Sequence, residues 1–254
     1  MIKIRKILVV IFAGVLFIFD IETIKGQDNY PNDTTISDSG GKPKDSLAFY
    51  FPTSVKLNGQ AIKTGIDSFS LNWYSCTLYA FKEPILYNFY QEHDSYRFLW
   101  LRSFHRPVVF ILSRNADSVW LTIKELDRHP SFIDMHVINY PFKEITKKKN
   151  HYKTTTIRKD SVIKADRKAN IISHQTKRLS LIEWNKFEDL LKQCNFWTMN
   201  PINKQLGCDG AEWIIEAHSK NKYLFIDRWS PSKSSYGNCG KYLIELSGQE
   251  YKIY

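Results

Sequence analysis

Residues 96–104 read Tyr-Arg-Phe-Leu-Trp-Leu-Arg-Ser-Phe, with large apolar groups at both odd and even positions. Successive side chains of a strand point to opposite faces, so a strand covered on one side alternates apolar with polar. This run does not alternate. It reads as a central strand buried on both faces, and the remaining segments have to supply its neighbours and its cover. Two runs that are β-branched or aromatic, Pro107–Ser113 and Ser118–Leu126, follow directly. The turn chemistry of Arg114-Asn115-Ala116-Asp117 joins them into a hairpin. A second hairpin is expected from Ala211–His218 and Lys222–Trp229 around Ser219-Lys220-Asn221. If residue 217 faces 223, then Ile215 faces Phe225, Trp213 faces Asp227 and Glu212 faces Arg228. On that register Trp213 or Ile215 turns inward with Phe225, and Glu212 and Glu216 turn away.

Three helical patterns accompany the strands. Leu71, Tyr74, Leu78 and Phe81 share one helical face, with Asp67 or Ser68 available as cap and Pro84 just beyond. Ser180 and Glu183 form a capping box ahead of Trp184, Phe187, Leu190, Leu191 and Cys194. Tyr242, Leu243 and Leu246 mark a short last helix that Gly248 ends. Strands that come in sequence-adjacent pairs, without regular strand–helix alternation, indicate an α+β fold. The sheet is expected to be mostly antiparallel, with two or three packed helices, as one domain over residues 47–254. The 43% hydrophobic and 15% aromatic content supplies a core for it.

The N-terminus is different in kind. Residues 1–6 carry three positive charges, Ile7 to Phe19 are all apolar or small, and Asp20 and Glu22 end the run. This is the layout of a signal peptide over residues 1–26, the alternative being an uncleaved membrane anchor through residues 7–24. The apolar run is short for a spanning helix. The chain is accordingly expected to be exported, to the periplasm or the cell exterior. Residues 27–46, rich in Asp, Asn, Ser, Thr, Gly and Pro, read as a flexible lead-in with almost nothing to bury.

The formal charge of +10 is concentrated in residues 143–178, where twelve Lys and Arg face three Asp and Glu. The rest of the chain beyond residue 26 is close to neutral, which weakens any general reading as a nucleic-acid binder. The basic segment reads as an exposed loop or insert. The pieces Thr154–Arg158 and Ile171–His174 could build a protruding hairpin within it. Lys147, Lys148, Lys149 and Lys153 are candidates for holding an anionic partner or surface.

Chemistry-bearing motifs are sparse. Four cysteines (Cys76, Cys194, Cys208 and Cys239) in an exported chain permit one or two disulfides, with the pairing open. Their spacing and the scattered histidines form no metal-binding pattern, so no metal site is expected. No nucleophile elbow, Walker loop or dinucleotide fingerprint is present, so no cofactor, and in particular no nucleotide cofactor, is expected. Asp209, Glu212, Glu216 and Asp227 cluster about the second hairpin, where paired carboxylates are able to do acid–base work on a glycosidic bond. Asp209, Glu216 and Arg228 are the candidate catalytic set. Glu212 is expected to pair with Arg228 as a structural ion pair.

Several blocks, taken together, carry a resemblance: Tyr96–Pro107, Asn195-Phe-Trp, Asp209-Gly-Ala-Glu-Trp-Ile-Ile-Glu, Asp227-Arg-Trp-Ser-Pro and Cys239. They resemble a group of uncharacterised exported bacterial proteins. The resemblance implies a shared fold and no particular activity, and no functional residue carries over. Two functions follow as expectations. The first is a non-enzymatic extracytoplasmic domain that binds a protein or glycan ligand. The alternative is an exported hydrolase of cell-wall or glycan material, which requires Asp209, Glu216 and Arg228 to converge on one pocket.

Overall fold

The computed structural model describes residues 30–133, 135–138, 142–148, 151–157, 160–164, 166, 168–203, 207, 209–220 and 222–253, with the course of the backbone alone between 135 and 163. Residues 1–26, expected to be a signal peptide, and Cys208 lie outside the described residues. No helix among the described residues is long and apolar enough to cross a membrane.

The double-sided apolar run becomes a central strand because both of its edges find partners. In chain order the strands are β1 (Ser54–Leu57), β2 (Gln60–Lys63), β3 (Asp94–Arg102), β4 (Val108–Asn115) and β5 (Ser118–Leu126). They continue as β6 (Met135–Ile138), β7 (Phe142–Lys148), β8 (His151–Ile157), β9 (Asp160–Ile163), β10 (Ile171–Leu179), β11 (Ala211–Ser219) and β12 (Lys222–Trp229). The helices are α1 (Ser68–Ala80), α2 (Leu181–Gln193) and α3 (Ser235–Ser247). Six strands form one antiparallel sheet in the order β10-β5-β4-β3-β11-β12, so the protein is α+β with a mostly antiparallel sheet. From Ser95 to Arg102 every residue of β3 is buried.

Helices cover both faces of this sheet. Asp67 caps α1 by accepting from the Ser70 amide. The helix lies on one face, where Tyr74 reaches Asp227 on β12 and meets the ring of Phe51, which in turn packs on Phe225. On the other face the Ser180–Glu183 capping box starts α2, whose Trp184 and Phe187 pack on Tyr96 of β3. The last helix is longer than its apolar pattern suggests. It starts at Ser235 under the Ser234 cap and ends at Gly248, which adopts a positive φ of 71°. Its Gly240 sits against the sheet: a Cβ there would stand 2.5 Å from the Trp213 ring. Only glycine lets α3 approach that closely.

Three expectations are corrected. The β11–β12 register is shifted by one residue, with Ser219 opposite Lys222, Ile215 opposite Ile226 and Glu216 opposite Phe225. Phe225 therefore shares a face with Glu216, not with Ile215. Because that face is covered by α1 and the chain before it, Glu216 is buried instead of turned to water. The lead-in is anchored at a few points from residue 30 onward, although most of residues 31–46 stay exposed or half-buried. Tyr30 stacks on His218 at 4.5 Å and donates to the carbonyls of Ser219 and Lys222, while Asn88 bonds Asp33 and Ser37. Within the basic segment, Ile171–Leu179 is the edge strand of the main sheet. It does not pair with Thr154–Ile157, which instead pairs with Phe142–Ile145 in a two-stranded arm made of β6–β9 and β7–β8.

Candidate functional site

Two charged side chains are fully buried among apolar neighbours in the middle of the sheet: Arg97 on β3 and Glu216 on β11. The sheet register sets them directly opposite each other. Both are 1% exposed. The Arg97 Nε donates to Glu216 Oε2 at 2.6 Å, and Nη2 lies 2.5 Å from the same oxygen as a bare ion contact. Tyr223 of β12 donates to Glu216 Oε1 at 2.8 Å. Burial pushes the Glu216 carboxyl up, and Arg97 and Tyr223 work against that push.

The second half of the network comes from the end of α1. There Lys82 takes a positive φ of 58° and turns the chain, so that Glu83 points inward. Glu83 accepts from Lys124 of β5 at 2.6 Å and lies 3.9 Å from Arg97, whose Nη1 also donates to the Pro84 carbonyl at 2.7 Å. Tyr50 donates to the Glu83 carbonyl at 2.9 Å. Two cations and two carboxylates thus balance within the buried network.

Tyr50 and Glu83 also line a cleft of about 980 Å3. Its walls are the lead-in around residues 40–46, the end of α1 and the segment 168–170. The lead-in wall is tied down by the Ile85 amide donating to the Gly41 carbonyl. The opposite wall is tied by Asn170, which bonds the Asp127 carboxylate through both its amide and its side chain. Lys42, Lys44, Lys82 and Lys168 stand exposed around the cleft, and none makes an ion pair among the described residues. The one carboxylate in the lining, Glu83, is already neutralised from below. The cleft thus sets four exposed lysines around an apolar lining that includes Tyr79, Ala80 and Pro84, with the Asp38 and Asp127 carboxylates bonded to its lining residues Gly40, Lys42 and Asn170.

The expected catalytic set does not converge. Asp209 is exposed in the turn before β11. Glu216 is sealed under α1 with Arg97. Arg228 lies on the opposite face, paired in register with Trp213, and donates to the carbonyls of Asn200, Pro201 and Asp227. The expected Glu212–Arg228 pair fails for the same reason, since Glu212 sits opposite Trp229. Glu212 instead meets Asp227, and Tyr74 donates to Asp227 Oδ2 at 2.8 Å. Burial, followed by the Asp227 charge, pushes Glu212 up to about 9, so at neutral pH it keeps a proton that the pair can share. A protonated carboxyl is a potential general acid. Yet neither carboxyl lines the large cleft or the smaller ones of about 460, 430 and 580 Å3.

Of the basic candidates, the backbone ladder sets Lys147 opposite Tyr152, Lys148 opposite His151 and Lys153 opposite Thr146, near the tip of the arm. Lys149 lies outside the described residues. Cys76, Cys194 and Cys239 are thiols in this structure, so no disulfide is formed among the described cysteines. Sequence reasoning missed the four cleft lysines, Glu83 and Tyr50. It also passed over Arg97, although a lone arginine in a doubly buried strand is a signal that a buried partner must exist. No family model, no curated protein and no solved structure matches the chain.

Proposed function

We propose that the chain is a non-enzymatic binding domain, exported through residues 1–26, whose ligand is an acidic glycan fragment held in the 40–46/α1/168–170 cleft. The observation that carries this reading is the set of four exposed lysines, Lys42, Lys44, Lys82 and Lys168, which make no ion pair among the described residues, around a cleft of about 980 Å3. That volume suits a small ligand. The lysines supply attraction for sulfate or carboxylate groups, and the tyrosine and proline lining supplies apolar contact for ring faces. The hydrolase alternative loses support because Asp209 is exposed in a turn, Glu216 is buried with Arg97 and Arg228 lies on the opposite face of the sheet.

The test is an isothermal titration of the purified chain with a sulfated disaccharide, beside its unsulfated counterpart. The reading expects binding of the sulfated form alone, weakening as sodium chloride rises from 50 to 500 mM (about 14 to 4 Å of Debye length). Equal binding of the unsulfated form would remove the lysines from the explanation.

A further inference from the structure

We infer that Cys194 and Cys239 are the disulfide-forming pair of this chain, a covalent bond between the end of α2 and α3. Their Sγ atoms are 3.9 Å apart and both side chains are buried. A disulfide needs about 2.05 Å, so the sulfurs have under 2 Å to close. The helices are already held side by side on the same seam: Tyr242 donates to the Glu183 carbonyl at 3.3 Å, and Lys186 Nζ lies 4.5 Å from the centre of the Tyr242 ring. No large rearrangement is required to bring the sulfurs together.

Cys194 is the entry point, because it stands at the C-cap of α2 and retains some exposure while Cys239 has none. The reaction takes a small-molecule disulfide as oxidant. The Cys194 thiol loses its proton and attacks one oxidant sulfur, forming a mixed disulfide and releasing one thiol. The Cys239 thiol then loses its proton and attacks Cys194 Sγ, and the second oxidant thiol leaves. The protein gives up two protons and two electrons, and the oxidant disulfide becomes two thiols. Thiolate formation at Cys194 is favoured by the facing Cys239 hydrogen bond, against the opposing effect of burial.

The bond closes a loop over a sequence separation of 45 residues that contains β11 and β12. Restricting the unfolded chain in this way is expected to raise the melting temperature by about 10 °C. The experiment incubates the full chain with glutathione disulfide, then maps peptides without reduction. The expected result is a Cys194–Cys239 cross-linked peptide and a higher melting temperature. Cys76→Ser retains that rise, whereas Cys194→Ser abolishes it. Should Cys194→Ser fail to fold, the peptide map of the wild-type chain decides alone. A cross-link to Cys76 or Cys208, or both thiols still open to alkylation after denaturation, overturns the assignment.

Discussion

Replacing Arg97 by methionine is the sharpest test of the buried network. The substitution keeps an apolar side chain of similar length in the β3 interior but leaves Glu216, 1% exposed, with Tyr223 as its remaining donor. It also removes the bond to the Pro84 carbonyl. Stranding one partner of a buried ion pair costs about 3–5 kcal/mol. At about 2–4 °C per kcal/mol for a chain of this size, the melting temperature should fall by about 10 °C. Urea unfolding followed by tryptophan fluorescence reads the same loss as a lower midpoint with an unchanged slope. The double variant Arg97→Met/Glu216→Leu should regain most of it, since replacing both partners removes the stranded charge. A loss below about 1 kcal/mol in the single variant, or a double variant no better than the single, would refute the reasoning.

Three further outcomes follow from the same structure. His218 Nδ1 donates to the Leu86 carbonyl at 2.9 Å, its Nε2 accepts from the Gln91 amide at 3.0 Å, and burial pushes its pKa down to about 4. A folded value below the unfolded one means its contribution, up to about 3 kcal/mol, is present above pH 6.5 and lost as pH falls towards 4, and His218→Gln should flatten stability over that window in urea titrations at stepped pH. Glu212 has the opposite sign: its folded value of about 9 lies above the unfolded one, so its contribution is full below about pH 4.3 and is lost as pH rises through 9. Glu212→Gln should therefore flatten the decline between about pH 4.3 and 9, to which Glu212 contributes at most about 1.4 kcal/mol per pH unit. Deleting residues 144–152 trims the tip of the arm and should leave the cooperative thermal transition of the sheet in place; loss of that transition in calorimetry would mean the arm supports the core.

What was legible in the sequence was local or carried by the core. Asp67, the Ser180–Glu183 box and Gly248 act within one helical turn, so their roles can be read from spacing alone. Tyr96–Arg102 announced its central position because no exposed strand would carry that pattern. The β11–β12 register turned on the size of one turn, and an error of one residue moved Phe225 to the other face. The edge strand β10 is polar and exposed along most of its length, so its pairing with β5 left no apolar period to find. The cleft was hidden for a different reason. Lys42, Lys82 and Lys168 are far apart in the chain and meet only because long-range bonds, Ile85 to Gly41 and Asn170 to Asp127, dock segments that read as loops. Arg97 and Glu216 were both visible, but their pairing depended on the order of strands in the sheet.

The most direct test sets the cleft against the basic arm. Affinity for the sulfated disaccharide is measured at low salt for the wild-type chain, for Lys82→Ala/Lys168→Ala in the cleft, and for Lys147→Ala/Lys148→Ala/Lys153→Ala in the arm. At about 1 kcal/mol or less for each exposed charge, the cleft variant should lose about tenfold in affinity while the arm variant stays within about twofold of wild type. The reverse order, or equal losses, would contradict a ligand site in the cleft.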